Sequence, residues 1–203
     1  MKKVLIAIVV LLSSMVASAQ DSPWRFVAGL GYADGGEKLV SGTITTIGTN
    51  KVLPYDIQAG VGFQFRVGAE YRWTDRISLQ ATIGHSASEA MGMDGSFDFT
   101  TIPLELMGFV EVGAGFRLGA GLRQSHAELR GTGKVENFPL NGSYTGNQGS
   151  VVELQYLFQN GSGQGGRSPA QFGLSVRSVT ETFPHAWGPI KGDNVEVGVV
   201  LYY

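Results

Sequence analysis

Arginines and glutamates recur at matching parity along strongly alternating segments: Arg25, Arg66, Glu70, Arg72, Glu105, Glu111, Arg117, Arg123, Glu153, Arg177 and Glu196. Each has an apolar or aromatic neighbour on at least one side, which in an extended chain lies on the opposite face. Six arginines against five glutamates are nearly balanced. Residues of these types, gathered inside a closed structure, can pair as a buried ionic network, or can rearrange to line a narrow path for ions.

A second set is nucleophilic. His85 adjoins Ser86 and His126 adjoins Ser125, and a serine within hydrogen-bonding reach of a histidine is the start of acyl-transfer chemistry. Neighbouring residues of a strand point to opposite faces, so neither pair forms a dyad. His185, near Trp187, suits packing within a loop. With three dispersed histidines and no cysteine, no zinc site is expected. The Gly-x-Gly runs at Gly29, Gly60, Gly113 and Gly119 have neither the following helix nor the lysine of a phosphate loop; on a strand they leave room for long side chains or let the sheet bend. No catalytic residue, metal or cofactor is therefore expected.

The elements that must position these side chains are strands. Trp24, Phe26, Ala28, Leu30 and Tyr32 alternate with Arg25, Val27, Gly29 and Gly31. Ile57 to Trp73 alternates in the same way, with Arg66, Glu70 and Arg72 on the second face. Further segments begin at Ile77, Phe97, Phe116, Val152 and Phe172, and the last runs from Val195 to Tyr203, giving eight. The apolar parity changes near Thr100-Thr101, where a β-bulge is expected. Connections near 34–56, 86–96, 127–149 and 180–193 are long and polar; those near 74–76, 112–115 and 160–166 are short. Long loops at one end and short turns at the other suit an eight-stranded antiparallel up-and-down transmembrane β-barrel. Trp24, Phe26, Tyr71, Trp73, Phe116, Phe158, Phe172 and Tyr203 then form an aromatic girdle at the short-turn end, and Tyr32, Tyr55 and Phe97 a thinner upper set.

Lys2 and Lys3, the apolar run Val4 to Leu12 and Ala17-Ser18-Ala19 read as a signal peptide over residues 1–19, with the barrel domain over 20–203. Cleavage removes two of the 15 basic residues and none of the 17 acids, leaving 13 against 17, a balance that disfavours nucleic acid and anionic surfaces. Charged residues make up 16% of the chain and glycines number 30 in 203, against roughly 25% and 7% in soluble domains. Without cysteine there is no disulfide framework, so stability must come from backbone pairing and packing.

Three stretches resemble the small outer-membrane β-barrel superfamily, the OmpA- and OmpX-like domains often grouped as a porin family. They are Thr101-Ile102-Pro103-Leu104-Glu105-Leu106, the strand Phe116 to Arg123, and the aromatic-terminated last strand. The resemblance implies export to the bacterial outer membrane, contact with its lipid and lipopolysaccharide, insertion by the barrel-assembly machinery through the last strand, and a monomer. It specifies no activity. An eight-stranded bore is just wide enough to be filled by side chains, so the eleven ionic residues are expected to plug it. The leading expectation is a non-enzymatic barrel with an envelope-structural role and surface interactions through its loops, where Thr43 to Ile47, Phe138, Tyr144, Phe183, Pro184, Trp187 and Pro189 lie. The alternatives are a narrow ion or small-solute channel and, more distantly, a lipid A-modifying enzyme; the His-x-Ser spacing of the lipid A deacylases is absent around His85 and His126.

Overall fold

Alternating Val, Leu, Ile and aromatic residues favour extended chain, and backbone that faces lipid must satisfy its hydrogen bonds in a closed ladder. The computed structural model describes residues 22–45, 52–92, 95–137, 139–158, 170–185 and 188–203. The signal-peptide expectation falls outside them, as do Phe138, Trp187 and the 160–166 turn. In chain order the strands are β1 (Trp24–Gly35), β2 (Lys38–Thr45), β3 (Val52–Gln58), β4 (Gly62–Arg72), β5 (Ile77–Gly92), β6 (Gly95–Gly113) and β7 (Phe116–Gly131). They continue with β8 (Gly142–Thr145), β9 (Gly149–Leu157), β10 (Gln171–Thr180), β11 (Thr182–Phe183), β12 (Ile190–Lys191) and β13 (Asn194–Tyr202).

Eight of these close a barrel. Around the wall the order is β1, β4, β5, β6, β7, β9, β10 and β13, every pairing is antiparallel, and β13 returns to pair with β1 from Val27↔Tyr202 to Gly35↔Asn194. The remaining strands decorate the long-loop end: the β2–β3 hairpin, β8 against the top of β7, and the two-residue pair β11–β12. At the opposite end the Thr74 hydroxyl accepts the Arg76 and Ile77 N–H groups at 3.2 and 3.0 Å, fixing the β4–β5 turn.

Four local expectations are corrected. No bulge interrupts β6 at Thr100-Thr101: β5 and β6 keep one register from Ile77↔Val110 to Gly92↔Gly95, broken only where Pro103 has no N–H to offer the ladder. What changes is the environment. Phe97 and Phe99 stand on the inward face with Thr101, Pro103 and Glu105, and are 3% and 4% exposed, because above the apolar wall the interior itself turns apolar. Phe97 is therefore no part of an upper girdle.

The Ile57 to Trp73 segment is two strands, not one. Ile57 and Ala59 are buried in the long-loop end, and the chain re-enters the wall at Gly62, whose φ of +141° glycine adopts without strain. The long polar 86–96 loop is ladder instead as far as Gly92↔Gly95, so β5, β6 and β7 run 16, 19 and 16 residues.

Outside, a band of large apolar side chains faces away from the protein, among them Leu30, Phe63, Phe65, Ile83, Leu104, Leu106, Leu118, Val176 and Val197. Such a continuous exposed apolar surface exceeds what soluble monomers carry. Aromatics crowd its short-turn edge: Trp24 meets Tyr71 at 4.9 Å, and Phe116 and Phe158 flank Tyr156 at 4.8 and 5.3 Å. Trp73 and Phe172 are exposed there as well, while Phe26 and Tyr203 are half-buried.

Candidate functional site

The inward faces fill the bore in three levels. At the short-turn end Arg25 donates to Glu70 through Nε (3.1 Å) and Nη2, and to Gln171 through Nη1 (3.1 Å). Arg117 shares the same carboxylate and donates to the Ser78 hydroxyl at 2.9 Å. Both guanidiniums lie over the Tyr202 ring, at 4.6 and 5.0 Å, and Arg117 also covers Phe109 at 4.2 Å. Nε and Nη1 of Arg117 have no hydrogen-bond acceptor, and the two rings are the electron-rich surfaces against that guanidinium. The Tyr202 hydroxyl lies between the carbonyl oxygens of Gln155 (2.8 Å) and Gln80 (3.0 Å).

Gln155 passes the chain upward by donating to Glu153 at 2.6 Å. In the middle level Arg66 bridges Glu153 (2.9 Å) and Glu196 (2.6 Å), while Arg177 reaches Glu196 (2.9 Å), Glu153 (3.2 Å) and Glu105. Glu105 also accepts from Arg123 at 3.0 Å, Arg123 continues to Glu181 at 3.1 Å, and the Ser125 hydroxyl donates to Glu181 at 2.6 Å. A Cβ on Gly29 would stand 2.7 Å from Arg66 Nε, and one on Gly31 2.9 Å from Glu196 Oε1. Inward glycines are thus the space into which the long charged side chains fold.

The third level is apolar. Leu39 and Val40 of β2, Ile57, Phe97, Phe99, Leu129, Tyr144, Phe183 of β11 and Ile190 of β12 pack together above the network. Phe99 and Phe183 meet edge-to-face at 6.3 Å.

Of the eleven ionic residues named from sequence, nine lie in this network. Glu111 is exposed at the short-turn rim beside Arg117 in the ladder, and Arg72 is half-buried at the same mouth. Sequence reasoning missed Glu181, which it left in a loop, although Arg177, Val179 and Glu181 continue the inward parity of β10. Among the described residues the network holds Arg25, Arg66, Arg117, Arg123 and Arg177 against Glu70, Glu105, Glu153, Glu181 and Glu196, five of each sign. Equal numbers suit a place where an uncompensated charge is costly.

His85 and His126 are exposed on the outer face, one on each side of Ile102, whereas Ser86 and Ser125 are buried inside at 6% and 1% exposure. The two Ser–His neighbours are thus separated by the barrel wall. His185 sits in the cap with its ring 5.7 Å from Tyr144. Among the described residues no group of histidines and carboxylates is arranged to hold a metal ion.

At the rim of the long-loop end, exposed acids outnumber exposed bases among the described residues. Among the described side chains there, Asp34, Glu37, Asp56, Glu89, Glu136 and Asp193 are exposed, against Lys38, Arg130 and Lys191. The Lys38 ammonium donates to Asp56 at 2.6 Å and the Ser41 hydroxyl donates to the same carboxylate at 2.7 Å, contacts that hold the Asp56 carboxyl below the usual carboxylate range. This tie between β2 and β3 is present above the ordinary carboxyl pKa and is lost as pH falls through the lowered one.

No family model matches the sequence, and no curated protein does. Among solved structures, the attachment invasion locus protein Ail of Yersinia pestis, in complex with the heparin analogue sucrose octasulfate, superposes with a TM-score of 0.52 at 9% identity, covering 89% of this chain and 99% of Ail. Neisserial surface protein A gives 0.47 at 11% identity over 89% of this chain and 96% of its own. OprG of Pseudomonas aeruginosa gives 0.39 at 12%, over 88% and 95%. The superposition on Ail, together with the closed ladder, gives this chain the fold of the small eight-stranded outer-membrane barrels.

Proposed function

We propose that this is a non-enzymatic protein of the bacterial outer membrane, with a plugged lumen, that serves envelope structure and surface interaction through its long-loop end. The observation that carries the reading is the unbroken filling of the bore, from the Tyr202 stack through the ten paired charges to the apolar cap. A conduit of this width would need an unfilled axis, and here each charged level is cross-linked to more than one strand. The apolar outer band edged by aromatics suits a lipid boundary, with the short-turn end, where Trp24 and Tyr203 lie, on the periplasmic side. The route there is export under the signal peptide, with the terminal strand read by the assembly machinery. The excess of exposed acids among the described rim residues favours a neutral or cationic partner, in contrast to the polyanion held by Ail.

Refolded protein in planar bilayers is expected to give no stable, reproducible single-channel openings; openings abolished by changing Glu105 or Arg117 would overturn the plugged lumen. The separation of His85 and His126 from Ser86 and Ser125 supports the absence of acyl-transfer chemistry. Mass spectrometry of lipid A from cells with and without the protein should therefore find identical acyl chains, and any altered chain would revive the enzyme reading.

A further inference from the structure

Seven of the eight wall pairings join strands consecutive along the chain, apart from inserted decorations. Only β1 with β13 joins the two ends, so it closes the longest loop and is entropically the hardest to make. Backbone hydrogen bonds are the same kind here as elsewhere, and something further must favour the closed seam. Two inward side chains of β13 cross the bore. Glu196 reaches Arg66 of β4 as well as its neighbour Arg177. Tyr202 reaches further: its ring lies against Arg25 of β1 and Arg117 of β7, its hydroxyl between Gln80 of β5 and Gln155 of β9. It is 1% exposed and packs on Val27, Leu157 and Val200.

We propose that Tyr202 is the closure latch of the barrel: its slot between two guanidiniums is complete only when the strands carrying them are assembled, and seating it locks β13 against β1. Tyr203, the terminal aromatic, faces outward and has no such ties across the bore. The slot is held in shape by Glu70, which binds both arginines and spaces them on the two sides of the ring. The inward tyrosine thus ties the closing strand β13 to the inside of the barrel, independently of its outer face.

The test is site-resolved hydrogen exchange on protein refolded in detergent micelles, comparing the β1–β13 seam with the opposite wall, β6–β7. Tyr202→Leu should raise exchange of the seam amides by about tenfold or more while β6–β7 stays as in the parent protein. Tyr202→Phe, which keeps the ring, should raise it less, and Tyr203→Leu should leave the seam unaffected. An equal rise on both walls, or none at the seam, would show Tyr202 to be ordinary packing and overturn the latch. Should Tyr202→Leu fail to fold, Arg25→Leu removes one face of the slot and is judged by the same seam-to-wall comparison.

Discussion

Replacing Arg177 with leucine is expected to destabilise the folded barrel by about 3–5 kcal/mol, the usual cost of leaving buried charge without its partner. Arg177 is 3% exposed and binds Glu105, Glu153 and Glu196 together, so its loss leaves four arginines facing five carboxylates at the centre of the bore. Arg66 still serves Glu153 and Glu196, and Arg123 still serves Glu105, which places the expected cost within that range rather than beyond it. Lysine should rescue only in part, because one compact ammonium cannot span three carboxylates as a planar guanidinium does. Adding Glu153→Gln to Arg177→Leu should recover part of the loss by removing the surplus negative charge, and the double-mutant cycle measures that coupling. The readout is urea unfolding in micelles, followed by heat-modifiable gel mobility. A cost below about 1 kcal/mol for Arg177→Leu would mean that water or mobile ions, not Arg177, compensate the three glutamates.

The wall and the network were legible for one reason: both follow a period of two. Once Arg66, Glu70 and Glu105 are assigned to one face, Phe65, Ala69 and Leu104 must take the other, and most of the side-chain orientations in the eight wall strands follow. The period does not say what either face meets. Phe97 and Phe99 broke the apolar parity, and a change of parity has two physical causes, a shift of the backbone or a change of surroundings. The sequence of β6 does not separate them; the unbroken pairing of Glu89↔Asp98 and Ala90↔Phe97 does. Ile57 and Ala59 went astray in the opposite sense, since they happened to share the outward parity of Phe63 and Phe65 across a strand break at Gly62. Glu181 was lost because it stands one residue past the end of β10 at Thr180, where the ladder stops but the inward parity continues. Tyr202 shares the inward parity of Glu196, but its partners come from β1, β5, β7 and β9, and contacts across a bore leave no trace in spacing along one strand.

The difference between a bulged and an unbroken β6 can be measured. Phe99→Ala is expected to cost about 3–5 kcal/mol, as for a large aromatic removed from a packed interior. Phe99 is buried, faces Phe183 edge-to-face and packs with the cap contributed by β2, β3, β7, β8, β11 and β12, so its removal leaves a cavity that the surrounding ladder cannot collapse to fill. On a bulged strand the same ring would lie on the outer surface and the loss would be no more than that of any exposed apolar side chain. Leu104→Arg supplies the complementary measurement, because Leu104 is 62% exposed within the apolar band and a cation there should cost about 2–4 kcal/mol near the membrane midplane and less toward its edges. A Phe99→Ala cost near zero with Leu104→Arg at full cost would restore the bulge. The cap also stands above the charged levels rather than in place of them. Phe99→Ala should therefore weaken the barrel without opening it, and its bilayer conductance should stay as silent as that of the parent protein, since the five arginines and five glutamates beneath still fill the bore.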